Sequence, residues 1–181
     1  MASYAKFDVW QNTAGITQPA TLQVVKSILG NNLGTTSNDS TQDNPSWAIS
    51  TTTTTWTDTS NLQLTITPKF ANSIIKLELC MYMGNGGTGR APAIRIIRGS
   101  TIVWRPNNNS TGPFSLGYAG QSDRHDHMFI MCIDSPNTTN AITYSLQYRT
   151  YNGTNTSTFF SYPAASHYGT LNTFVATEIA Q

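Results

Sequence analysis

Residues 74–83 constrain the fold more than any other stretch. Ile75, Leu77, Leu79, Met81 and Met83 alternate with Ile74, Lys76, Glu78, Cys80 and Tyr82. That period of two sends the sets to opposite faces of a β-strand and has no helical reading. The odd set is apolar throughout, which predicts a core face. The same period returns at Leu62, Leu64 and Ile66, ended by Pro68, and at Ile142, Tyr144, Leu146 and Tyr148. Ala93 to Arg98 and Thr101 to Arg105, joined by Gly99-Ser100, read as a hairpin. His127 to Ile133 is a continuous apolar run, which predicts a central strand covered on both faces. Asp134-Ser135-Pro136-Asn137 follows as a turn, with Asp134 as a turn residue. Thr51 to Trp56 reads as a Thr-rich strand, and Thr156 to Ser161 as a return strand after the Asn152-Gly153 turn. Leu171, Thr173, Val175, Thr177 and Ile179 read as the last strand.

The composition agrees with this pattern. Charged residues make up 10% of the chain, against about 25% in an ordinary soluble domain. Thr, Ser, Asn and Gln take their place, and these suit pleated strands and turns better than helix surfaces. The expectation is an all-β protein: an antiparallel, jelly-roll-like β-sandwich with a short extended N-terminal arm.

Charge and cysteine content exclude several classes. The net charge is +1, and the basic residues are scattered along the chain, with no cluster beyond Arg95 and Arg98. Nucleic-acid binding, which needs a basic stripe, is not expected. No run is long and apolar enough for a membrane span. The opening residues lack an apolar signal region, which predicts synthesis in a cytoplasm without export by that route. Cys80 and Cys132 sit in apolar runs and are expected as two buried free thiols. Asn109, Asn137, Asn152 and Asn155 read as turn chemistry.

Residues 1–45 differ from the rest. Phe7-Asp8-Val9-Trp10 and Leu22 to Leu29 are short strand candidates, separated and followed by Gly, Pro, Asn and Ser. The division expected is a docking arm and linker over residues 1–45 and a sandwich over residues 46–181. Phe7, Val9, Trp10, Val24 and Ile28 are the candidate attachment residues, seated on the main domain or on a neighbouring subunit.

Three stretches give the chain a resemblance. They are Lys6 to Gly15; Ser73 to Leu77 with Ala93 to Thr101; and Asp134-Ser135-Pro136 with Thr143 to Arg149 and a Glu178-bearing last strand. In these the chain resembles small virion structural proteins of tailed phages, especially those of cyanobacteria and marine bacteria. The resemblance implies a trimeric jelly-roll module of a fibre, spike or capsid surface, assembled in the host cytoplasm. Its implied partners are copies of itself, neighbouring capsid or tail proteins and, at a fibre tip, a host glycan.

No enzymatic constellation stands out. The nine carboxylates include no pair placed for glycoside hydrolysis. There is no nucleophile elbow and no phosphate-binding loop. No cofactor is expected. His125 and His127 share a strand face and are candidate metal ligands; the resemblance implies a site where three chains meet on a threefold axis. Trp104, Tyr118, Tyr151 and Tyr162 are candidate glycan-stacking or interface aromatics.

Overall fold

A computed structural model of the chain describes residues 10–11, 17–18, 21–29, 49–85, 92–106, 124–150, 157–159 and 172–180. Twelve strands lie in these residues: β1 (Trp10–Gln11), β2 (Thr17–Gln18), β3 (Thr21–Leu29), β4 (Ile49–Thr51), β5 (Thr57–Ile66), β6 (Ile74–Asn85), β7 (Pro92–Arg98), β8 (Thr101–Trp104), β9 (Arg124–Asp134), β10 (Ile142–Thr150), β11 (Ser157–Phe159) and β12 (Asn172–Ile179).

The pairing is that of one long antiparallel ribbon. β7 pairs β8, β6 pairs β9, β5 pairs β10, β4 pairs β11 and β3 pairs β12, each pair nested inside the next. The ribbon's tip is the two-residue loop at Gly99 and Ser100, between the paired Arg98 and Thr101. Gly99 holds φ 57° there, a conformation that costs a side-chain-bearing residue roughly 1–2 kcal/mol.

The ribbon rolls over because β12 also pairs β6, and β10 also pairs β7. One sheet then runs β5-β10-β7-β8. The other runs β3-β12-β6-β9, with β11 and β4 continuing beyond β12 along β6. Two antiparallel sheets packed in this order are a jelly-roll sandwich, in which a rolled hairpin supplies both layers.

The alternation predicted from sequence builds the core. Leu62, Leu64, Ile66, Ile94, Ile96, Tyr144 and Leu146 from one sheet meet Ile75, Leu77, Leu79, Met81, Ile130, Phe174 and Ala176 from the other. Where β5 bulges opposite Leu146, between Asp58 and Gln63, Thr59 Oγ1 donates to the Leu146 carbonyl at 3.0 Å. That bond satisfies a buried backbone group the ladder leaves unpaired.

Two strand expectations change, at residues 52–56 and at β9, and the pairing adds the inward face of β12 and the seat of β3. Residues 52–56 are not strand; only Ile49–Thr51 pairs, and β5 begins at Thr57. In β12 the even residues Phe174, Ala176 and Glu178 face the interior, because the register with β6 sets Phe174 opposite Leu79 and Ala176 opposite Leu77. β3, within the stretch read as an arm, is bonded into the sandwich from Thr21 to Leu29 along β12. β9 is not central: among the described residues it pairs β6 alone and forms the edge of its sheet.

Candidate assembly face

β9 has two unlike faces. Met128, Ile130 and Cys132 turn toward the core. His127, Phe129, Met131 and Ile133 turn outward, and the last three are 63%, 58% and 62% exposed. Together they leave roughly 300 Å² of largely apolar surface, a size at which exposed patches commonly mark interaction sites. Scattered single apolar residues on a surface need no explanation; three in a row on an edge strand do.

The register continues this face across the sheet. Ile133 lies beside Lys76, then Thr177, then Val24; Met131 lies beside Glu78, then Val175, then Lys26. Lys76 Nζ and Glu78 Oε2 are 3.0 Å apart, so the charges next to the apolar strip neutralise each other. Cys80 stands beside Phe129 on this face, whereas Cys132 stands beside Leu77 and turns inward. The thiols therefore lie on opposite faces, and both are free and half-buried rather than fully buried. Burial, followed by the charge of Asp134, pushes the Cys132 thiol up to about 11.

Two polar anchors hold the sandwich behind this face. At the end of β9, Asp134 does more than make a turn. It accepts from Arg98 Nε at 2.7 Å, from Arg98 Nη2 at 3.3 Å and from the Tyr144 hydroxyl at 2.7 Å. The bond to Asp134 raises Arg98 further above its usual range. Burial and then the same carboxylate push the Tyr144 phenol far upward. In β12, Glu178 is fully buried. Its Oε1 accepts the Lys69 and Phe70 amides at 2.7 and 3.4 Å, and its Oε2 accepts Gln23 Nε2 at 2.6 Å. Burial alone would raise its pKa. These donors, and the dipole of the nearby Ser73 hydroxyl, whose Oγ lies outside hydrogen-bond geometry, hold it below the usual range.

The predicted site residues scatter. His127 is exposed on the outward face of β9, and the side chain of His125 lies outside the described residues. Among the described residues no three His, Cys, Asp or Glu groups gather as metal ligands. Trp104 is half-buried against the core. Val24 is 58% exposed on the same outer face as Ile133. Trp10 lies in β1 and Ile28 opposite Thr173 in β3, with side chains outside the described residues. Phe7, Val9, Tyr118, Tyr151 and Tyr162 lie outside them entirely. Sequence reasoning missed Glu178 and Asp134 as anchors. A lone carboxylate among apolar neighbours was the available signal for both. No helix among the described residues is long and apolar enough to cross a membrane.

Comparison with known proteins places little beside this chain. No protein-family model matches it, and no curated protein matches it in sequence. Among solved structures it is similar to a chain in the structure of the infectious bursal disease virus Gx strain, at 12% identity and a TM-score of 0.35. That likeness covers 91% of this chain and 38% of the viral one, so the chain spans well under half of the viral chain's length.

Proposed function

We propose that this chain is a non-catalytic structural subunit of a virion that assembles with copies of itself through the outer face of β9. The observation that carries the reading is the exposed Phe129–Met131–Ile133 strip on an edge strand. The sequence of that strand is apolar on both faces, while the sandwich covers one. A second copy is the occupant we infer. The chain's net charge of +1 sets little repulsion between copies. The Lys76–Glu78 pair beside the strip leaves no uncompensated charge there to bury. Covering the strip contributes about 1–2 kcal/mol per side chain, and a standard interface of about 800 Å² per partner would take in the neighbouring residues of β6 and β12.

The virion setting rests on the resemblance to tailed-phage structural proteins. With it go the finer parts of the reading: a homotrimer on the virion surface, attached to a capsid or tail protein through residues ahead of β3, among them Phe7, Val9 and Trp10. A His125/His127 metal site on the trimer axis belongs to the same reading.

Light scattering on the full chain tests the self-assembly. The expected mass is that of a trimer, falling to a monomer in Phe129→Asp and Met131→Lys with unchanged circular dichroism. A wild-type monomer across the micromolar range overturns it.

A further inference from the structure

The sequence shows no basic cluster, yet the fold makes one. Arg95 on β7 and Arg149 on β10 each hold their guanidinium carbon 4.6 Å from the Trp56 ring centroid. Both come from the outward face of the β5-β10-β7-β8 sheet, where Arg149 is paired with Ala93 and Arg95 with Gln147. Arg105, just past β8, is exposed and near enough to act on Arg95 electrostatically. Two of the chain's ten Lys and Arg residues thus stack on one indole, and a third lies near enough to act on one of them.

The acceptors nearby are few. Arg95 Nε donates to Gln147 Oε1 at 2.6 Å, and Gln147 Nε2 donates to Asp58 Oδ1 at 2.7 Å. Asp58 is the carboxylate that acts on Arg95, and the amide of Gln147 stands between them. Neither Arg149 nor Arg105 is in an ion pair or hydrogen bond with an acceptor among the described residues. Partial burial, then the charges of Arg149 and Arg105, lower Arg95 below its usual range. Asp58 is one carboxylate against three guanidinium groups, and the excess positive charge is relieved by a bound anion.

We infer that the Arg95–Trp56–Arg149 cluster, with Arg105 at its rim, binds the carboxylate of an acidic saccharide. Guanidinium forks match a planar carboxylate. The exposed Asp58 beside them keeps an acceptor oxygen, Oδ2, which a sugar hydroxyl satisfies and a densely phosphorylated polymer repels. A uronic acid presents a carboxylate and hydroxyls on one ring. The site lies on the sheet opposite the one that carries the β9 strip, so it stands independently of the assembly reading.

Calorimetric titration of the full chain with an oligogalacturonate tests this, beside its methyl ester and inorganic phosphate. The expected result is saturable binding of the oligogalacturonate, lost on esterification and weakened by salt. Arg149→Gln should weaken it about tenfold. Arg105→Gln, at an exposed position outside the strands, should weaken it less and covers the case in which the first variant fails to fold. Absence of binding overturns the inference. So does binding of the methyl ester or of phosphate as tightly as the acid, since that makes the site a neutral-sugar or bare-anion site. The oligomeric mass is read separately, so neither failure implies the other.

Discussion

Arg98 and Asp134 form a two-pronged ion pair between the sheets, with Nε 2.7 Å from Oδ2 and Nη2 3.3 Å from Oδ1. Arg98 ends β7 and Asp134 ends β9, so the pair ties one sheet to the edge strand of the other. Tyr144, fully buried on β10, donates to the same carboxylate.

Removing the carboxylate should therefore cost more than a surface ion pair does. Asp134→Ala leaves the Tyr144 hydroxyl and a largely covered guanidinium without their acceptor. We expect a loss of about 2–4 kcal/mol. Urea unfolding checks this, with the midpoint falling and the slope unchanged.

Glu178 predicts the acid limb of stability. Its folded pKa lies below the ordinary value, so the unfolded chain takes up the proton first as pH falls. Its stabilisation is fully present above the unfolded glutamate pKa, about 4.3. It disappears as pH drops through the lower folded value. Glu178→Gln should be less stable at neutral pH and should flatten the pH dependence below about 4.3. Unfolding free energies of both proteins between neutral pH and acid decide this.

Truncation separates attachment from folding. A chain beginning at Ser46 lacks β3, and with it Gln23, which donates to Glu178 and to the Thr67 carbonyl. That chain should lose several degrees of melting temperature or fail to fold. A chain beginning at Pro19 keeps β3 and should fold with near-native stability. Thermal melts of the two shortened chains should differ accordingly.

Cys132 should alkylate slowly. With its pKa near 11, about one molecule in a thousand carries the thiolate at pH 8, against about a quarter for an ordinary cysteine. Mass spectrometry after iodoacetamide treatment should find Cys132 largely unmodified until the protein is unfolded. It should find no bridge to Cys80, which lies on the other face of the sheet.

The residues themselves carried much of this architecture. Alternation at Leu62–Ile66, Ile75–Met81 and Tyr144–Leu146 depends only on the pleat, and it marks the core face of three strands without reference to tertiary contacts. Gly99-Ser100 marked the ribbon's tip, because a two-residue loop needs a positive φ that glycine supplies. Asn137, read as a turn residue, holds φ 52°. Which strand lies at an edge has no such local signature. Residues 127–133 are apolar on both faces whether a sheet or another molecule covers them, so the edge position of β9 emerged only from its pairing with β6. In β12, Thr173, Val175 and Thr177 looked as core-like as Phe174 and Ala176, and only the register with β6 chose between them. The same holds for charge. Trp56, Arg95 and Arg149 are distant in sequence, and only the rolling of the ribbon, which sets β10 between β5 and β7, gathers them on one face.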